Sequence, residues 1–332
     1  MIESYLTQKI QQTEHTPLEA KENLAISATL LGLSRMGFTW DGLSKAAIEG
    51  LLQWIERVSE TAIEDQTLVN LMYSMALLSF DTPLYHVEEL NAKERASQRR
   101  LMAIHQVLLS QFEENLAGRI TSSSSSSSSF PRVHRVQLEV YFLLLQHMLS
   151  PSLQEQLSVA SIPTITSRMM INPSKLQLRL ARLLAQELSA LSSSSPSSSY
   201  WHGKEFWVED EFFGLRGSSL YPIDIAVFSR PSSSPSSSSK DKEVVAFVEV
   251  DGRMFHRKGR VVPNSHTSEG EKVMARVPVA EELGREDQFK SALYARCFPG
   301  VPLYRMSNIR TTRPCEQTAV GQLVQLLRTR FT

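Results

Sequence analysis

Two short apolar segments of this 332-residue chain carry carboxylates where a buried strand rarely holds them. Residues 221–228 contain Asp224, and residues 244–252 contain Glu249 and Asp251. Runs of β-branched and aromatic residues bounded by Gly, Pro and Ser predict buried strands. A buried carboxylate needs an ion-pair partner, a hydrogen-bond donor or a metal. The three carboxylates therefore predict a polar site at one end of a sheet.

Two kinds of chemistry fit these carboxylates. In a nuclease, all three would be catalytic, Asp224 and Glu249 would hold Mg²⁺, and Lys290 or His256 would position water or phosphate. In a binding domain, the carboxylates would instead pair with Lys290, Arg285 or the histidine, and no cofactor would be needed. Neither possibility is excluded by the residues themselves.

A basic and aromatic segment directly follows the second strand. Lys and Arg attract phosphates without regard to sequence, and aromatic rings stack on the bases of single strands. A second basic group lies farther along the chain. The candidate RNA contacts are Arg253, Phe255, His256, Arg257, Lys258, Arg260, Arg305 and Arg310.

The elements that would position these residues alternate between helix and strand. The predicted order over the C-terminal part is α-β-β-β-α-β-α, and an α/β domain is expected over residues 200–332. This is the order of the restriction-endonuclease-like, or PD-(D/E)XK, core. The predicted elements are a helix at 174–191, strands at 205–213, 221–228 and 244–250, a long loop at 257–284, a helix at 285–296, a strand at 301–306 and a helix at 315–330.

The N-terminal region, residues 1–191, has the apolar spacing of amphipathic helices. The pattern Asn23-Leu24-x-x-Ser27-x-x-Leu30-Leu31 recurs 47 residues later as Asn70-Leu71-x-x-Ser74-x-x-Leu77-Leu78, and a weaker copy begins at Leu138. This spacing predicts a helical-repeat, solenoid-like region, although simple amphipathic helices could match by chance. Asn23 and Asn70 are predicted to cap or bridge adjacent helices.

Three serine-rich tracts interrupt the chain, at 122–129, 192–199 and 232–239. Such segments bury little apolar surface, so they are predicted to be linkers or loop insertions. The first lies within the helical region and the third lies between the two carboxylate strands.

The charge is uneven although the formal net charge is zero. Residues 1–120 hold 10 Lys and Arg against 16 Asp and Glu, whereas residues 121–332 hold 25 against 19. The basic C-terminal part is compatible with a polyanionic partner. The two cysteines offer no disulfide framework or zinc spacing. No membrane span is expected, because no apolar run approaches the roughly 18–20 residues required.

The motifs Ile223-Asp-Ile-Ala, Val248-Glu-Val-Asp-Gly252 with Phe255-His256, Phe289-Lys290 and Pro302-Leu-Tyr-Arg-Met together resemble a RAP domain. The match covers roughly residues 205–310. RAP domains follow helical repeats in FAST-kinase-like and octotricopeptide proteins. A (D/E)XK lysine would stand two residues after Glu249, where this chain has Asp251.

The resemblance implies an RNA-binding protein that acts in mitochondrial RNA metabolism or is a component of the mitochondrial ribosome. RNA and other proteins of a ribonucleoprotein complex would be its partners. Two alternatives remain open: a metal-dependent endoribonuclease using Mg²⁺, and a scaffold that assembles proteins. The mitochondrial location is implied only by the resemblance, because the N-terminal residues do not have the Arg-rich, acid-poor composition of a presequence.

Overall fold

A computed structural model gives the fold as a mixture of helices and sheet. It describes residues 20–59, 63–86, 89–117, 131–161, 173–194, 200–202, 204–215, 220–231, 242–251, 254–257, 260–263, 275–276, 283–306 and 312–331.

Over the C-terminal part, the described elements contain the predicted order α-β-β-β-α-β-α, with three further short strands between the third predicted strand and the helix that follows it. The helices are α1 (Ala20–Arg35), α2 (Lys45–Ser59), α3 (Asp65–Ser79), α4 (Ala92–Phe112), α5 (Arg132–Leu143), α6 (Pro151–Gln156), α7 (Lys175–Ser194), α8 (Arg285–Cys297) and α9 (Arg313–Arg330). The strands are β1 (Lys204–Phe212), β2 (Ile223–Pro231), β3 (Glu243–Val250), β4 (Met254–Arg257), β5 (Arg260–Pro263), β6 (Ala275–Arg276) and β7 (Leu303–Met306). Among the helices that the structure describes, none combines the length and the apolar character needed to cross a bilayer.

The chain forms two compact units whose boundaries differ from the predicted ones. The helical unit comprises 1–168 and 284–296, and the α/β unit comprises 169–283 and 297–332. Helix α7, expected in the helical region, belongs to the α/β unit because Leu180, Leu184 and Leu188 are buried in that unit's core. Helix α8, expected in the α/β domain, contributes all but its last residue to the helical unit.

Local signals explain where several helices of the helical unit begin and end. Asn91 accepts hydrogen bonds from the backbone amides of residues 93 and 94, and Glu94 closes a capping box at the start of α4. After α1, Gly37 adopts a φ of 96°, a conformation that favours glycine and lets the chain turn toward α2.

Helix α3 lies at the centre of the helical unit. It packs against α1, α4 and α5, and α2 packs against α4. All residues of α3 from Thr67 to Ser79 are buried. The two copies of the Asn-Leu motif thus lie on packed helices, α1 and α3. The indole Nε1 of Trp54 on α2 donates to Asn23 Oδ1 on α1 at 3.1 Å, which confirms the bridging role predicted for Asn23. Asn70 Oδ1 instead accepts from Gln66 within α3.

The α/β unit is built around a five-stranded sheet in the order β1-β2-β3-β7-β6. Strand β7 runs parallel to β3, and the other neighbours are antiparallel. The hydrophobic core of this unit joins α7 and α9 to the sheet, as the burial of Leu184, Ile225, Val248 and Leu323 shows. Strands β4 and β5 form a separate hairpin, and β5 and β6 both lie within residues 257–284, which were predicted to be a loop.

The second serine tract is not wholly a linker. Ser192, Ser193 and Ser194 form the last turn of α7. The hydroxyls of Ser193 and Ser194 donate to carbonyls four residues earlier, and Ser192 donates to the Lys204 carbonyl at the start of β1. These bonds let serine continue a helix that composition alone would end at Leu191. The tracts at 122–129 and 232–239 lie outside the described residues.

Candidate functional site

The candidate site is the end of the sheet where β2, β3 and β7 meet. Ile225 pairs with Val248 in the antiparallel register of β2 and β3, so Asp224 and Glu249 are the next residues outward on neighbouring strands. The carboxylate oxygen Oδ2 of half-buried Asp224 accepts the backbone N–H of Val250 at 2.7 Å. The predicted meeting of the two carboxylate strands at one sheet end is therefore confirmed.

Arg305 supplies the positive charge of this cluster. It is the register partner of Glu249 in the parallel pair β3–β7. Its Nη1 donates to Asp251 Oδ1 at 2.8 Å, and the two side chains are only 6% and 10% exposed. The amide of Asp251 also donates to the Met306 carbonyl at 2.9 Å. We expected Arg305 at an RNA surface, but its guanidinium is buried against a carboxylate, so it is poorly placed to meet a phosphate.

The other cations proposed as partners of the carboxylates lie on α8, whose residues 285–296 belong to the helical unit. Arg285 is 4% exposed and forms its ion pair with Asp81, at 2.8 Å. Lys290 is half-buried on the same helix. The pairing expected between Arg285 and the sheet carboxylates is thus replaced by a contact inside the helical unit.

Two further polar residues, which belong to no motif of the sequence, extend the cluster. The side-chain amide of Gln177 on α7 donates to the Asp224 carbonyl and to Glu211 Oε1, both at 2.8 Å. Glu211 has a φ of 51°, a left-handed conformation that costs a non-glycine residue of order 1 kcal/mol or more. No local pattern distinguishes these two residues. Gln177 lies on a leucine-rich helix, and Glu211 is one of several acidic residues of β1.

The basic segment after β3 is partly described. Phe255, His256 and Arg257 lie on β4, and Arg260 begins β5 as the register partner of Arg257. The backbone therefore brings two of the candidate phosphate-binding residues to the same end of a hairpin. Arg253, Lys258 and Arg310 lie outside the described residues.

The cluster does not fit a Mg²⁺ site. One carboxylate oxygen of Asp224 accepts a hydrogen bond from a backbone amide, and the charge of Asp251 is balanced by a buried guanidinium. A divalent cation prefers several free carboxylate, carbonyl or water oxygens, and a neighbouring guanidinium would repel it. Within the part of the chain that the structure describes, no group of three His, Cys, Asp or Glu side chains is placed to hold a metal ion.

The arrangement resembles a structural polar cluster more than a catalytic one. Hydrogen bonds from Gln177, the amide of Val250 and Arg305 join α7, β2, β3 and β7 through Asp224 and Asp251. Buried polar groups satisfied in this way hold strand ends in a single arrangement. Comparisons with protein-family models, curated proteins and solved structures found no match to this chain.

Proposed function

We propose that this chain is a non-catalytic RNA-binding protein of the RAP type, acting in mitochondrial RNA metabolism or as a component of the mitochondrial ribosome. The observation that carries the proposal is the carboxylate cluster: Asp224 is on the second strand and Glu249 on the third, as in a restriction-endonuclease-like core. Arg305 is the register partner of Glu249 and donates to Asp251, so a cationic side chain of the chain itself belongs to the carboxylate cluster. In this proposal the α/β unit retains the sheet of a nuclease-like core but does not cleave RNA.

The sequential arrangement of the helical unit supports the same proposal. Helices α1, α3 and α5 pack in that order, and α2 packs against α4, as two layers of a helical-repeat array would. The unit is acidic over residues 1–120, which makes it a poor surface for RNA and a better one for proteins. We therefore assign RNA to the α/β unit and protein partners of a ribonucleoprotein complex to the helical unit.

The β4–β5 hairpin and its flanking residues are the proposed phosphate-binding segment. A chain that neutralises phosphates binds more weakly as salt rises, by roughly 0.7 in log–log slope for each phosphate contact on a single strand. Replacing Arg253, Arg257, Lys258 and Arg260 by alanine should flatten that slope by about 2–3. Fluorescence anisotropy of a labelled oligouridine, repeated over a range of salt concentrations, measures it.

A charge-matched variant controls for the loss of four positive charges. Its replaced residues are exposed and belong to the acidic helical unit: Lys21, Lys93, Arg95 and Arg99. It should keep the slope of the unchanged protein. Equal slopes for all three proteins would place the phosphate contacts elsewhere.

The same RNA, incubated with Mg²⁺ or Mn²⁺ and with or without chelator, separates binding from cleavage. We expect intact RNA in every sample. Cleavage that is abolished by chelator and by Glu249→Gln would replace the binding proposal with a metal-dependent endoribonuclease. If the protein binds no RNA but retains its protein partners after nuclease treatment, the scaffold alternative stands instead.

A further inference from the structure

An indole on the terminal strand of the sheet forms a platform with a buried ring beneath it. Trp207 on β1 pairs in register with Phe228 on β2, and their rings stack with centroids 5.5 Å apart at an angle of 14°. Phe228 is 1% exposed, whereas Trp207 is only half-buried. The pair therefore presents the indole as the accessible member of a rigid aromatic stack.

Two cations flank this platform. The guanidinium carbon of Arg230 and the ammonium of Lys242 each lie 5.6 Å from the centre of the Trp207 ring. Lys242 also lies 3.8 Å from the centre of the Phe228 ring. The side chains of Arg230 and Lys242 are 29% and 35% exposed, so both can contact a ligand that approaches the indole.

Each cation is held by a carboxylate of β1. Arg230 pairs with Glu205 at 2.6 Å, and Lys242 pairs with Glu209 at 2.5 Å. Glu209 also accepts the indole N–H of Trp207 at 3.2 Å. The two carboxylates cancel the two positive charges, so this surface attracts a phosphate only weakly. Its main feature for binding is the flat indole ring, which is held in a fixed position.

We propose that Trp207 is a base-stacking subsite for single-stranded RNA. The proposal rests on the RNA-binding function proposed above, and adds a stacking contact on the main sheet, outside the hairpin. Every base has a π-face, so stacking on an aromatic ring is tolerant of sequence, and cations beside the ring add to the attraction. Because the local charges cancel, this subsite contributes affinity that changes little with salt, unlike the hairpin.

The tryptophans of the chain make the test direct. Of the four, Trp40, Trp54 and Trp201 are at most 2% exposed, so Trp207 is the accessible emitter. Titration with an unlabelled oligouridine should quench intrinsic emission along the same curve as anisotropy, and should protect the emission from iodide. The quenching should be lost in Trp207→Phe.

Affinity measurements on variants give the second readout. Trp207→Ala should weaken oligouridine binding about 5-fold to 100-fold without changing the salt slope. Phe213→Ala removes another exposed ring, 46% exposed, and should leave affinity unchanged. The double variant Glu205→Gln/Glu209→Gln leaves the flanking cations uncompensated, so it should bind more tightly, with a slope steeper by roughly 0.7 for each.

The outcomes separate this subsite from the proposed function. If no oligouridine binds at any salt concentration, both proposals fail. If oligouridine binds with a steep salt slope, but emission is unchanged and Trp207→Ala binds as before, only the stacking subsite is overturned. Trp207 would then be a candidate contact for a protein partner.

Discussion

At the scale of single residues, Arg305 decides what the carboxylate cluster can do. A carboxylate that pairs with a buried guanidinium already has a cationic partner, so it is a poor ligand for a second cation. The sequence shows an arginine in a short strand, which is equally compatible with an exposed phosphate contact. Only the register of β3 against β7, set by residues more than fifty positions apart, places it opposite Glu249.

A buried chain of hydroxyl and imidazole groups crosses the helical unit. Ser79 donates to the Met75 carbonyl at 2.5 Å, so its oxygen accepts from the Tyr85 hydroxyl. Tyr85 then accepts from Nε2–H of His105, and Nδ1 of His105 accepts from Tyr141, at 2.7 and 2.8 Å. This order of donors follows because the Ser79 hydroxyl has a single proton, which it donates to the Met75 carbonyl. The order also requires a neutral His105, because Nδ1 can accept a hydrogen bond only when it carries no proton.

Acid should therefore weaken the helical unit through His105. Burial lowers the pKa of His105 to about 3, below its value in an unfolded chain, so protons bind preferentially to the unfolded state. Stability is fully present above about pH 6.5 and falls as the pH drops toward 3, by about 2 kcal/mol between pH 7 and pH 5. Urea unfolding at several pH values measures this loss, and His105→Gln should remove most of it.

The exposed His202, replaced by Gln, is the matched control for that experiment. It should retain the pH dependence of the unchanged protein. An identical pH dependence in His105→Gln would mean that His105 is not the titrating group.

At the scale of elements, α8 is fastened to the end of α3 by Arg285. Its guanidinium donates to the Leu77 carbonyl through Nε and Nη2, to both oxygens of Asp81, and to Gln288. Leu77 is in the last turn of α3, whose final carbonyls have no partner within the helix. Arg285 thus caps one helix from the first residue of another, and it also lies 4.2 Å from the centre of the Phe80 ring.

Replacing Arg285 with Met should destabilise the helical unit by roughly 2–4 kcal/mol, because it leaves a buried carbonyl and a half-exposed carboxylate without their donor. Thermal and urea unfolding measure the change. Arg296→Met, at the exposed last turn of the same helix, should stay within about 0.5 kcal/mol of the unchanged protein. Equal stability of the two variants would show that Arg285 does not fasten α8.

The extents of the helices and strands predicted between residues 174 and 330 agree with the structure to within a few residues, because apolar periodicity is a local property. The predicted helix at 285–296 and the observed α8 differ by one residue. The unit that a helix packs into is not determined by local sequence. Both α7 and α8 have an apolar face, but the pattern of apolar residues does not indicate which surface that face covers. The β4–β5 hairpin was missed because the short apolar part of β5 is surrounded by basic and polar residues.

For the candidate site, the sequence correctly predicts that Asp224 and Glu249 lie on neighbouring strands at one end of the sheet, but it does not predict the partners of the carboxylates. Asp224 and Glu249 could be paired because consecutive antiparallel strands are usually neighbours. The roles of Gln177 and Arg305 depend on a helix and a strand brought in from elsewhere in the chain. A helix that follows β3 in sequence is expected to pack across that end of the sheet, which favours Lys290 as a partner, yet residues 284–296 pack with the helical unit.

At the scale of the whole molecule, the chain passes between its two units three times, near residues 168, 283 and 296. Charge divides along similar lines, with the excess of acid in residues 1–120 and the excess of base beyond them. This division suits a protein that holds RNA with one unit and other proteins with the other. The mitochondrial setting and the identity of the RNA are part of the proposal.

The most direct test of RNA binding by the α/β unit is ultraviolet crosslinking of the intact protein in cells, followed by denaturing purification and peptide mapping. We expect crosslinked nucleotides on the peptide that spans residues 253–263 and on the peptide that contains Trp207. The acidic helices α1 to α4 should carry none. A purified chain without crosslinked RNA, or crosslinks confined to the helical unit, would contradict the central claim.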